Sequence, residues 1–172
     1  MTPRIQRAID IFLDAINKQT LAKGTCSACA VGNLVAHGMG YSIELPEDEC
    51  GSYEWRKQGS YKSPKWGAYF TTCDGIQTVY PLSDLLESSV TTMIEEIEST
   101  EFSAEELMKI EYAFETNTEI HWDDYVEHTN EEIRADQIRG LEAVVRVMLR
   151  FDEQTDNVQE IFTSKAELIP LN

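Results

Sequence analysis

Phe102-Ser103-Ala104-Glu105-Glu106-Leu107-Met108-Lys109-Ile110-Glu111-Tyr112-Ala113-Phe114 carries a complete helix signature. Ser103 and Glu106 stand three apart, the spacing of a capping box, in which each side chain satisfies the other residue's backbone N–H. Phe102, just before the cap, is placed to pack on Leu107. Leu107, Ile110 and Phe114 then recur at three and four residues, which makes one face apolar. The same pattern extends outward along the chain. Thr129 and Glu132 repeat the box and open the longest helix, with Ile133, Leu141, Val144, Val145 and Met148 facing inward. Thr2 and Pro3 open the first helix, whose stripe is Ile5, Ala8, Ile9, Phe12, Leu13 and Ile16. A second helix is expected from Thr25 to His37, stopped by Gly38 and Gly40. Its first turns hold only small residues, Cys26 to Ala30, which let a neighbour approach closely, so it is expected to be buried. Ser83 is expected to cap a helix carrying Leu86, Val90, Met93, Ile94 and Ile97.

Between Tyr41 and Tyr80 the helical spacing disappears, and Gly, Pro and aromatic residues rise. Asp74-Gly75 separates two β-prone runs, 66–73 and 76–80, which is a strong hairpin signal. Residues 41–45 and 53–57 read as further short strands. The fold class expected is α+β and mostly helical: about five helices packed with a short antiparallel β section. The 172 residues suffice for one domain. It divides into N-terminal helices (1–40), the β section (41–80), acidic helices (81–152) and a weakly patterned tail (153–172).

Hydrophobic residues make up 42% and charged residues 26%, so the chain is expected to fold rather than stay disordered. No stretch approaches the roughly 20 apolar residues of a membrane span, and residues 1–13 read as an amphipathic helix rather than a leader. A cytoplasmic setting is expected. The net charge of −17 is unevenly placed. Residues 1–80 hold 8 Lys/Arg and 8 Asp/Glu; residues 81–172 hold 6 and 23. The second half is therefore unsuited to nucleic acid, whose phosphates need Lys and Arg, and suited to a basic protein surface or a cation.

Cys26-x-x-Cys29 has the spacing of a metal or redox pair. With Cys50, Cys73 or His37 it could complete a zinc-type shell, although a free cysteine is otherwise a small buried hydrophobe. His121 and His128, two helical turns apart with Asp124 between them, would share a face only on one unbroken helix, and Thr129 reads as a cap that breaks it. Tyr53, Trp55, Arg56, Lys57 and Trp66 interleave bases with aromatics, as nucleotide or single-strand binders do; the plainer reading is a surface loop anchored by its rings. Common catalytic signatures are absent, and no residue is assigned a catalytic role. Carboxylates are abundant, but a catalytic pair is defined by distance and unequal surroundings.

The runs Gly24-Thr25-Cys26-Ser27-Ala28-Cys29-Ala30-Val31-Gly32-Asn33-Leu34 and Ile110-Glu111-Tyr112-Ala113-Phe114-Glu115-Thr116-Asn117-Thr118 resemble a set of uncharacterised small proteins from bacteria and their phages. The resemblance implies a microbial cytoplasmic setting and a role in phage–host conflict, and it transfers no catalytic residue. The expectation drawn from the charge is an acidic interaction or inhibitor protein that meets a basic partner surface, in its sharpest form by mimicking nucleic acid. The acids expected to form that surface are Glu95, Glu96, Glu98, Glu105, Glu106, Asp123, Asp124, Glu131 and Glu132.

Overall fold

The two capped segments become the central helix pair. In the computed structural model, which describes residues 1–45, 53–73, 75–81, 83, 86–121, 123 and 128–151, both capping boxes form. Ser103 Oγ accepts the Glu106 N–H at 3.2 Å while a Glu106 oxygen accepts the Ser103 N–H at 2.8 Å. Thr129 and Glu132 exchange the same pair of bonds. With the first helix, α1 (Pro3–Asn17), the second, α2 (Ala30–Met39), and the third, α3 (Glu87–Glu98), they complete a set of five α-helices among the described residues; the capped pair is α4 (Ala104–Asn117) and α5 (Asn130–Phe151). The β part is antiparallel throughout: a three-stranded sheet of β1 (Ser42–Glu44), β2 (Glu54–Lys57) and β3 (Ser60–Lys62), and a hairpin of β4 (Phe70–Cys73) and β5 (Ile76–Val79). The molecule is thus α+β and mostly helical.

One apolar cluster runs from Ile5 to Leu149 and joins α1, α2, α4 and α5. Ile5, Ile9 and Phe12 of α1, Leu107, Ile110 and Phe114 of α4, and Leu141, Val144, Val145 and Met148 of α5 are completely buried within it. Side chains of this kind contribute roughly 1.5–3 kcal/mol each when buried, so three of the five helices are fixed by stripes legible in their spacing. Gly140 lets α5 lie against α4: a Cβ there would stand 2.5 Å from Thr118 Cγ2 and 2.9 Å from Phe114 Cδ2.

Other elements depart from expectation. Helix α2 begins at Ala30 rather than Thr25. Residues 25–28 form a turn in which Thr25 C=O accepts the Ala28 and Cys29 N–H groups, and Cys29 is the N-cap, its Sγ accepting the Gly32 N–H at 3.4 Å. Asn33, 5% exposed, holds that turn in place, with Nδ2 within range of the Thr20, Ala28 and Cys29 carbonyls. Helix α3 starts at Glu87 with Leu86, not Ser83, at its N-cap. Of its expected inward face only Met93 is fully buried; Leu86 is 76% and Ile94 43% exposed.

The hairpin closes with Cys73 opposite Ile76 and Gly75 at φ +75°; Asp74 lies outside the described residues. Strand β3 was not foreseen. It follows a turn in which Gln58 (φ +53°) and Gly59 (φ +77°) are both left-handed, the backbone of a two-residue type I′ hairpin loop. Trp55 of β2, 0% exposed, fastens this sheet to the body: its ring stacks on Tyr41 with centroids 5.3 Å apart, and its indole N–H donates to Ser27 C=O at 2.7 Å.

Ala at a helix interior is ordinarily about 1 kcal/mol better than Gly. The contact of Gly140 with Phe114 and Thr118 reverses that sign, so Gly140→Ala is expected to lower stability by about 1–3 kcal/mol as overpacking does. Urea unfolding of the variant checks it, and unchanged or raised stability would show that α4 and α5 have room to separate.

Candidate functional site

The carboxylates of the C-terminal half separate into two populations. Glu96 (1% exposed), Glu111 (3%), Glu115 (7%) and Asp136 (3%) are buried. A buried carboxylate must be met by donors, and here backbone N–H groups of distant loops supply most of them. Glu96 Oε2 accepts the Lys65 and Trp66 N–H groups at 2.8 and 2.7 Å, at the start of the 3-10 turn Trp66–Ala68. Asp136 accepts from Glu119 and Ile120 N–H at 2.9–3.1 Å and pairs with Arg139. Both Glu115 oxygens lie 3.2 Å from Gly24 N. Glu111 accepts from the Thr72 hydroxyl at 3.2 Å.

The last two belong to a cleft of about 240 Å³ between the loop 23–29, strand β4 and helix α4. Its deeper wall holds Cys29, Thr72, Glu111 and Glu115, all buried; Lys23, Thr25, Cys26, Thr71 and His121, partly exposed, make the rim. Glu111 and Glu115 share a face because they are four residues apart on α4. His121 closes one end: it bridges to Lys23 and packs over Gly24 so closely that a Cβ on Gly24 would overlap its ring. Its Nδ1 pairs with Asp123. The sequence runs 24–34 and 110–118 both contribute residues to this one cavity.

Burial, then the neighbouring Glu115, pushes the Glu111 carboxyl up to about 8. Burial also raises Glu115, against the pull of the Gly24 N–H, Lys23 and His121. Burial and the same two carboxylates push the Cys26 thiol up to about 11, and Cys29 shifts in the same direction for the same causes. Both cysteines are free thiols and stay protonated near neutrality, which makes them poor nucleophiles. Glu111, by contrast, is placed to hold or release a proton near neutral pH.

Of the residues expected to hold a metal, Cys26 and Cys29 line the cleft. Cys50 lies outside the described residues, as does the side chain of Cys73. His37 is exposed near the far end of α2, beside Gly38 and Ser99, about 12 Å along the helix from Cys29. Among the described residues no three His, Cys, Asp or Glu side chains converge in metal-ligating geometry. The residues of the aromatic and basic segment have separate surroundings. Trp55 and Trp66 are core residues at 0% exposure; Arg56 pairs with Glu44 and Glu54; Lys57 donates to Met39 C=O at 2.7 Å and sits over the Tyr41 ring. Tyr53, half-buried, lines a smaller cavity with His121 and His128.

The acids named for a partner surface that lie among the described residues have unlike surroundings. Glu96 is buried and leaves the set. Glu106 is held by Arg4 at 2.9 Å, Glu105 by Lys109 at 2.7 Å, and Asp123 by His121. Glu132 caps α5, Asp124 lies outside the described residues, and Glu131 is exposed at the start of α5. Glu95 and Glu98 remain, exposed on α3. One signal for the cleft is present in the sequence: Glu111 and Glu115 continue the i, i+4 row that starts at the inward-facing Leu107.

No protein-family model, curated protein or solved structure matches the chain.

Folding lifts Glu111 from 4.5 to about 8, so between these values the folded chain keeps a proton that the unfolded chain has released. The contribution of this group to stability therefore falls as pH rises through that window. Glu111→Gln removes the titration. The variant is expected to gain on the natural chain steadily from pH 5 to pH 8 in thermal melts. A stability difference, variant minus natural chain, that stays constant or falls as pH rises contradicts the raised carboxyl.

Proposed function

We propose that this protein acts by binding a basic, partly apolar partner surface, and that the surface it offers is narrower than its charge alone indicates. The carrying observation is where base-free acidity and exposed apolar side chains coincide. From Trp66 to Met108 the chain has no Lys or Arg. Of the nine large apolar side chains exposed among the described residues, five (Ile76, Val79, Tyr80, Leu86 and Ile94) fall within β5 and α3 or between them. Helix α3 presents Leu86 and Ile94 together with Glu87, Glu95 and Glu98, three exposed acids in no ion pair among the described residues. Exposed apolar groups give a partner something to desolvate; the acids around them select cationic partners and speed encounter. A protein that itself grips nucleic acid would satisfy this chemistry, and inhibition by mimicry is the sharper form of the proposal.

The test pairs the natural chain with Glu87→Lys/Glu95→Lys/Glu98→Lys in a cross-linking pull-down. A partner is expected at about 50 mM salt and lost by about 500 mM, as screening shortens the reach of exposed charges. The triple variant should fail to recover it, while Glu131→Lys, on another helix, should recover it normally. A partner that binds both triple variant and natural chain, or that resists salt, refutes the assignment to α3.

A further inference from the structure

We propose that the cleft between the loop 23–29, β4 and α4 is a binding site for a small organic cation, a primary ammonium or guanidinium group. Nothing in the partner-surface reading requires this site, and the two stand or fall separately.

The cavity of about 240 Å³ matches a group of a few heavy atoms. Its deeper wall brings together two carboxylates, Glu111 and Glu115, at 3% and 7% exposure. The hydrogen bonds they receive come from neutral donors: the Thr72 hydroxyl for Glu111, the Gly24 N–H for Glu115. Lys23 and His121 lie near enough to ease Glu115. Yet the Lys23 ammonium donates to Thr118 C=O at 2.5 Å, and His121 is engaged by Asp123. No cation is hydrogen-bonded to Glu111 or Glu115 among the described residues. Two adjacent buried acids with only neutral donors are an arrangement that a positive occupant relieves. The same pair, with the Thr72 hydroxyl, offers several acceptors spread over a cavity rather than focused on a point. Spread acceptors suit the diverging N–H groups of an ammonium or guanidinium, whereas a metal ion needs three or more ligands converging. Cys29 Sγ is moreover already taken by the Gly32 N–H as the cap of α2. The rim is accessible, since Gly24 is exposed and Cys26, Thr25 and Thr71 are partly so.

The experiment is calorimetric titration of the full chain at neutral pH with four probes: propylamine, methylguanidine, tetramethylammonium and Zn2+ alone. Saturable binding of propylamine or methylguanidine is expected, with no binding of tetramethylammonium, which has the charge but no N–H to donate. Glu111→Gln and Glu115→Gln keep the shape and remove the charge; each should weaken the bound amine by about tenfold or more. Binding should also release protons, seen as a heat that changes with the ionisation enthalpy of the buffer, because a cation favours the carboxylate over the carboxylic acid. Melting curves confirm that the variants fold, and should Glu115→Gln fail to fold, Glu111→Gln decides. The proposal is overturned if neither N–H cation binds, if tetramethylammonium binds equally, or if the Gln variants bind as the natural chain does. Binding of Zn2+ with no response to the amines would replace it with a metal site built on Cys26, Glu111 and Glu115.

Discussion

A carboxylate removed from water has to be surrounded by donors, and this protein uses that requirement to hold its loops. Glu96, Glu115 and Asp136 each leave a helix of the C-terminal half and take backbone N–H groups from a connecting segment: 65–66, 24 and 119–120. Bonds from N–H to a charged oxygen are among the stronger hydrogen bonds in proteins. An unmet buried carboxylate would be strongly destabilising, so each acid and its loop depend on one another. Part of the charge imbalance thus has a structural use: some acids of the second half hold the backbone of the first. Reading all 23 as solvated surface overestimates the outward charge.

In the cleft Glu111 and Glu115 lie side by side, next to two thiols that burial, and after it these two carboxylates, keep protonated. Cysteines near a helix start are commonly activated by the dipole. Here burial and the two carboxylates outweigh that influence, and the Cys29 sulfur serves as a hydrogen-bond acceptor for Gly32 instead.

Much of the architecture is legible in apolar spacing. The stripes of α1, α4 and α5 and both capping boxes appear in the fold as they stand in the sequence, because they are local patterns with local causes. The start of α2 is not legible in this way. A run of small residues permits a helix as readily as a turn, and the choice is made by Asn33, whose amide reaches back to the turn's carbonyls. The inward face of α3 is misread at Leu86 and Ile94 because periodicity shows that a stripe exists and not that something covers it. Trp55 and Trp66 look like a binding surface among their bases, yet tertiary packing draws both rings inside. The cleft escapes a linear reading for a related reason. Its halves lie about 90 residues apart, and nothing in Cys26-x-x-Cys29 announces that its neighbours will be carboxylates rather than further thiols.

The loop between β2 and β3 has a practical consequence. Gln58 and Gly59 project where a Cβ on Gly59 meets nothing within 4 Å, and Ser60, Tyr61 and Lys62 after them are exposed. Yet the strand on one side is pinned to the interior through Trp55. A dye, an epitope or a short surface tether grafted at this turn would sit in open solvent on a firmly rooted stalk. It would report the orientation of the whole body rather than its own wagging, which makes the turn a natural handle for immobilising or tracking the molecule.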